Sequence, residues 1–252
     1  MASRQHSDWL YRLAIIAVIC TFALIGMGGL VTSREAGYAV PDWPTSFGYN
    51  MFLLPFSQWL GKFGVFEEHS HRLMASLVGL ITAVIAGWIW VRESTGIPRR
   101  VALGVIAVTL LLMGVRTQPM FIAMACLALG AVGLAVVKIA CNPKALRWWA
   151  SLVYSLVIIQ GVPGGLRVTQ HKDQIGVLHG VLAQVFLITL GLLALFNSRW
   201  WKESRAAKNI NDLVPRVVRS HFFYATVLIF LQLIIGATMR HQHAGLPVWD
   251  FP

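Results

Sequence analysis

The chain has 252 residues, of which 57% are apolar and only 12% charged, with a net charge of +11 and a mean hydropathy of +0.66. A soluble domain carries about twice that charged fraction, so the composition excludes a soluble enzyme and describes an all-α, polytopic transmembrane helical bundle. The basic excess does not imply a nucleic-acid partner, because the basic residues follow a membrane topology.

Seven apolar runs can be read, at about 12–32, 70–92, 101–115, 120–138, 147–165, 175–197 and 218–239. Most have the roughly 17–25 residues that cross a hydrocarbon core. Fourteen Lys and Arg fall on the N-terminus and alternate connections and six on the opposite side, with Arg72 inside a run. That bias places the N-terminus in the cytoplasm and the C-terminus outside, and the location is a cell membrane, as in a bacterial inner membrane. The first run is long and lacks a small-residue cleavage site, so it reads as a retained span. Cys20, Cys126 and Cys141 show neither metal-ligand nor disulfide spacing.

The first run ends in Gly26-Met27-Gly28-Gly29, where glycines permit close backbone approach. An outer loop follows to about residue 66, with Pro41-Asp42-Trp43-Pro44 forcing a turn and Phe47, Phe52, Phe56 and Trp59 supplying aromatic surface. Such a loop either caps a cavity or rests on lipid headgroups. The second run opens with Glu67-Glu68-His69-Ser70-His71-Arg72. On a helix Glu67 and Glu68 share a face with His71, Glu68 also faces Arg72, and His69 points elsewhere. Ionisable groups at the mouth of a span mark a functional site by default.

The pair at 101–138 reads as an inserted helical hairpin. It is nearly featureless, with Arg116 and Gln118 at its outer turn. The fifth run ends in Gln160-Gly161-Val162-Pro163-Gly164-Gly165-Leu166-Arg167, and the sixth carries His179 about a turn inside its outer end. His71 and His179 thus lie at similar depth on one side of the membrane, as an axial pair for haem iron requires. Arg72 and Arg167 suit haem propionates or, alternatively, lipid headgroups. Glu68 suits proton transfer or a salt bridge to Arg72. Gln160 and Gln184 read as interhelical hydrogen bonds, and His6, His171, His221, His241 and His243 as structural or solvent-facing. The seventh run lacks the lysine that a retinal Schiff base needs. Finally, Gly28–Pro44 and Gly236–Pro252 repeat Gly, Ala-Gly, Val, Asp and Pro in register, as parallel repeats would.

As an ordered set these motifs resemble the haem A synthase family. The resemblance rests on Gly28 to Thr32, Pro41 to Pro44, Glu68 to Arg72, Gln160-Gly161 with Gly164-Gly165, His179 with Ala183-Gln184, and Arg240 to Gly245. It covers nearly the whole chain apart from 101–138. It implies two four-helix halves, each with a histidine pair, and oxidation of a methyl group of haem O to the formyl group of haem A for cytochrome c oxidase. It makes His71 and His179 the metal-ligating pair of the half that holds the haem substrate. It makes Glu68, in a Glu-x-x-His-Arg motif, the catalytic carboxylate, stabilising positive charge or positioning water.

The resemblance divides the chain into an N-terminal haem-binding bundle, 1–197, and the start of a second, truncated half, 198–252. The second histidine pair, associated with a haem b cofactor, is absent, as is the cysteine pair that some members carry in the first outer loop. The implied partners are haem O, membrane lipid, an unnamed electron donor, and haem O synthase or a second copy of the chain. Two alternatives share the motifs: a bis-histidine haem b electron carrier, and an inactive fragment or assembly factor.

Overall fold

The computed structural model describes residues 2–115, 117–206 and 215–242. These hold α1 Ala2–Ser33, α2 Phe56–Trp59, α3 Val65–Glu93, α4 Gly96–Leu112, α5 Gln118–Cys141, α6 Leu146–Gln170, α7 Asp173–Asn197, α8 Arg199–Ala206 and α9 Arg216–His241. Among the described residues, strand pairing is limited to one antiparallel bridge between Ser46 and Tyr49. Helices dominate because a backbone in lipid has to satisfy its own hydrogen bonds.

Six helices, α1, α3, α5, α6, α7 and α9, are long and apolar enough to cross a membrane, and the chain is a multi-pass membrane protein. The expected seventh span, α4, has 17 residues, about 25 Å. It nevertheless joins the two ends of the bundle. At one end, Glu93 Oε2 accepts from the Arg147 backbone N–H (2.8 Å), and the Arg147 guanidinium donates to the Glu93 carbonyl (2.8 Å). At the other end, Gln118 donates to Thr169 (3.4 Å). Since α4 runs between Glu93 and Gln118, it traverses the length of α6.

Four helices form a ring in the order α1, α3, α6, α7, each packed on its neighbours, so that α3 lies diagonally opposite α7 and α1 opposite α6. Leu10, Ala14 and Ala17 of α1, Val78, Ile85 and Ile89 of α3, Ala150 and Val153 of α6, and Phe186, Leu190 and Leu193 of α7 form the core. Lipid is as apolar as these side chains, so close packing of small residues, rather than escape from water, holds the ring. Outside it, α4 lies on α3, α5 on α6 and α9 on α7. α5 buries Met124, Ala125, Ala128 and Ala135 against its neighbours. The hairpin of α4 and α5 is therefore external to the ring, yet α5 is firmly packed.

The fifth apolar run does not stop near residue 165. α6 continues through Pro163 to Gln170. Proline removes one backbone donor and crowds the preceding turn, and membrane bundles tolerate this where neighbouring helices support the chain. Pro163 is buried.

The outer loop between α1 and α3 divides into a packed half and an exposed half. Its first half folds back on the bundle, burying Val40 and Ser46 completely, while Phe52, Phe56 and Phe63 remain outward and exposed. Asp42 organises the turn. Its Oδ1 accepts from the Phe47 N–H (2.6 Å) and its Oδ2 from the Gly48 N–H (2.8 Å), which holds Phe47 and Gly48 in the left-handed region at φ 52° and 77°. Partial burial raises the Asp42 pKa, but hydrogen bonds from Thr45, Gly48 and Phe47 outweigh it and leave the carboxyl below its ordinary value. A depressed carboxylate contributes stability above its unfolded pKa and loses it as pH falls through the folded one. Loop protection against protease is therefore expected to hold at neutral pH and to fade below about pH 4. Asp42→Asn should remove much of that pH dependence and cost about 1 kcal/mol, measured by limited proteolysis and thermal melts across pH 3–7.

Candidate functional site

His71 is the seventh residue of α3 and His179 the seventh of α7, which puts both imidazoles about 9 Å into their helices. Each ring rests on a glycine of the neighbouring helix. A Cβ added at Gly28 of α1 would lie 3.0 Å from His71 Cε1, and one at Gly164 of α6 would lie 2.9 Å from His179 Cε1. The imidazoles thus occupy two opposite seams of the ring, α1–α3 and α6–α7, at one depth. Gln160 of α6 supports the second seam by donating its side-chain amide to the His179 carbonyl (2.8 Å), the interhelical role expected of it. His71 interacts with the Leu24 backbone of α1, yet its Nδ1 is buried with no hydrogen-bond partner of normal geometry.

The two seams differ in charge. The positions of α3 that hold Glu68 and Arg72 correspond on α7 to Gly176 and Gly180. Glu68 is buried, at 3% exposure. Its Oε1 accepts from Arg72 Nη2 (2.6 Å) and its Oε2 from the Val40 N–H (2.9 Å). Arg72 Nη2 also donates to the Val40 carbonyl (2.9 Å), and Nη1 to the carbonyls of Asp42 (2.8 Å) and Thr45 (3.0 Å). All four terminal N–H groups of the guanidinium are thereby used, leaving Nε–H as its remaining donor. Arg72 neither snorkels nor presents a free fork. It clamps the outer loop over the α3 end of the bundle.

The other motif residues separate. Glu67 pairs with Arg34 (2.5 Å). His69 turns away from His71, as its spacing requires, and is buried with its Nδ1 3.5 Å from Ser46 Oγ and its ring edge-on to Trp59 at 5.2 Å. Arg167 lies at the C-terminal end of α1. Its Nη1 donates to Thr32 (3.3 Å), its guanidinium packs on Gly37 and stands 5.8 Å from the Tyr38 ring, and its buried Nε has no partner. From α9, Arg240 donates to the Gly29 carbonyl (2.6 Å) and to Ser33. His171 caps α6 and lies against Tyr38, their ring centroids 4.6 Å apart, while the exposed His221 holds the Val217 carbonyl at 2.7 Å. The Arg116 turn, the His6 and His241 side chains, His243 and the second repeat copy beyond residue 242 lie outside the described residues.

Sequence reasoning missed the loop's part in the site. Trp43 lies flat on Gly165, whose Cβ would fall 2.0 Å from the indole, and meets Phe121 of α5 at 5.0 Å. The Gly164-Gly165 pair was the available signal: one glycine accommodates His179, the other Trp43. Among the described residues no three His, Cys, Asp or Glu side chains converge on a metal position. A two-ligand arrangement completed by a macrocycle is the metal chemistry the histidines suit.

The model of the cytochrome oxidase assembly protein family COX15-CtaA matches residues 11–252. A heme A synthase from Shouchella clausii (strain KSM-K16) is 22% identical over 245 residues, covering 96% of this chain and 63% of that protein. The chain thus spans less than two thirds of that relative's length. No solved structure matches it.

The glycine contacts predict unequal effects of one added methyl. Gly28→Ala and Gly164→Ala should each destabilise by about 1–3 kcal/mol, because the imidazole against them is fixed in a packed seam. Gly165→Ala has to expel Trp43 and should expose the outer loop to protease. Gly26→Ala and Gly161→Ala, with nothing within 4 Å of the new carbon, should be neutral or gain up to about 1 kcal/mol of helix propensity. Thermal melts in detergent check the ranking, and equal effects at all five positions would contradict it.

Proposed function

The chain belongs to the COX15-CtaA family of cytochrome oxidase assembly proteins, and from that premise we propose that its ring of α1, α3, α6 and α7 binds haem O and acts in its conversion to haem A. The observation that carries this reading is the placement of His71 and His179 at one depth in opposite seams, each on a glycine. Haem in the ring would take one imidazole from each side. The chain's own residues fit that group: the Nδ1 of His71 is buried with no hydrogen bond of normal geometry, and the Leu24 backbone lies near the imidazole. The similarity to a heme A synthase supports the same reading.

Bound haem O would supply the iron and the methyl carbon that becomes the formyl group. His71 and His179 would orient the macrocycle. Arg167, with an unused Nε–H at the mouth of the ring, would bind a propionate, and guanidinium suits a carboxylate. Arg72 is the less suited of the two, because its terminal donors already hold the loop. Its contribution is to keep residues 40–45 in place over the α3 end of the bundle, with Trp43 across on Gly165.

With water as the oxygen source, oxidising a methyl to a formyl group (R–CH3 + H2O → R–CHO + 4 H⁺ + 4 e⁻) releases protons, and Glu68, three residues before His71 on one helical face, would accept one of them. Protonating it would weaken its bonds to Arg72 and Val40, so proton uptake and loosening of the loop would be coupled. An electron acceptor for the reaction has to come from a partner.

The test is extraction and mass analysis of haem from the chain purified from a host that makes haem O. Wild-type chain is expected to carry haem O or its oxidised products, and His71→Ala or His179→Ala to lose them. Glu68→Gln keeps an acceptor for the Val40 N–H, so it should retain haem O and lose the oxidised products. Haem b alone would favour an electron carrier, and a colourless protein would sink the axial-pair reading.

A further inference from the structure

At the opposite end of the bundle from the histidines, a cleft of 330 Å³ opens between the α5–α6 turn and α8. Trp149, Phe196 and Trp201 line it as a continuous aromatic wall, with ring centroids 5.1 Å apart for Trp149–Phe196 and 5.2 Å for Phe196–Trp201. Leu146 adds apolar surface, and Lys144 and Lys202 stand at the same cleft. None of its lining residues is acidic. A second, smaller cleft, of 110 Å³, shares Leu146 and Lys202 and adds Arg92 and Glu93.

Of the nearby acids, Asp8 pairs with Arg199 and Glu93 with the Arg147 backbone, while Glu203 follows Lys202 on α8. Lys202 donates to the Asn197 carbonyl (2.9 Å), which fixes its ammonium beside the cleft. Burial, with the Arg92 guanidinium next in effect, holds that ammonium below the usual lysine range against the opposing charge of Asp8, and Lys144, Lys202 and Arg92 together give the two openings their basic character. This is also the end where Lys and Arg concentrate. Charge bias assigns such an end to the cytoplasmic leaflet, where anionic lipid is enriched.

We propose that this cleft is a binding site for one anionic phospholipid, its phosphate between Lys144 and Lys202 and an acyl chain along Trp149, Phe196 and Trp201. Apolar rings and cations at one interfacial opening match a molecule that is itself part tail and part phosphate. A soluble anion would leave the aromatic wall uncovered. A zwitterionic lipid would bring its own cation against the lysines. The site is independent of the haem reading, since it uses none of the same residues.

Native mass spectrometry of the full chain in neutral detergent tests it, with phosphatidylglycerol and phosphatidylcholine of matched acyl chains as probes and inorganic phosphate as competitor. Phosphatidylglycerol is expected to bind at least tenfold more tightly than phosphatidylcholine. The Lys144→Gln/Lys202→Gln double variant should lose roughly thirtyfold of that affinity. Arg99→Gln/Arg100→Gln removes two cations from the same end outside the cleft and should change it less than twofold. Should the lysine double variant not fold, Lys144→Gln alone, at an exposed position, carries the comparison. Equal losses in both double variants would reduce the effect to general surface charge and overturn the site. So would equal affinity for the two lipids, or displacement of lipid by millimolar inorganic phosphate.

Discussion

The buried ion pair of Glu68 and Arg72 is the constraint on which the outer half of the molecule depends. Charges at the edge of a hydrocarbon core are costly unless paired and further hydrogen-bonded. Here the pair is closed by the loop backbone: the Val40 N–H on the carboxylate, and the carbonyls of Val40, Asp42 and Thr45 on the guanidinium. The dependence runs both ways. Loop carbonyls folded inward from water need donors, and α3 cannot carry its charges without acceptors. Two adjacent turns of one helix therefore fix the path of a segment some thirty residues earlier in the chain.

That clamp gives the ring its asymmetry. The two seams share a design in which a histidine lies on a neighbour's glycine, and they differ in what surrounds the imidazole. On α3 the neighbours are a carboxylate and a guanidinium. On α7 they are Gly176 and Gly180, and Trp43 reaches across from the loop to cover Gly165. A ligand held between such seams would meet a carboxylate and a guanidinium on one side and aromatic and backbone surface on the other. Binding can then be symmetric while reactivity is not.

The opposite end is built on other principles. There Arg147 ties α6 to the last turn of α3, Trp90 donates to Ser151 (3.0 Å), and Asp8 pairs with Arg199 of α8. These contacts hold the helix ends together where lysine, arginine and tryptophan meet the headgroups. They leave the middle of the ring to packing of alanine, valine and leucine. The two histidines and these anchoring contacts are separated by the length of the bundle.

Periodicity and composition by themselves determined the class, the positions of the apolar runs, the shared face of Glu68 and Arg72 and the common depth of His71 and His179, because helical rise and hydropathy are local properties. They also marked the glycines at 28, 164 and 165. What those glycines accommodate, an imidazole in two cases and an indole in the third, was decided by which helices became neighbours. The ring order that makes α3 and α7 diagonal is likewise a tertiary fact, since several arrangements of antiparallel helices satisfy the same apolar pattern. The contacts by which Arg72 clamps the loop have the same origin. A guanidinium binds whatever acceptors packing brings to it, and only the folded loop supplied the three carbonyls that occupy it.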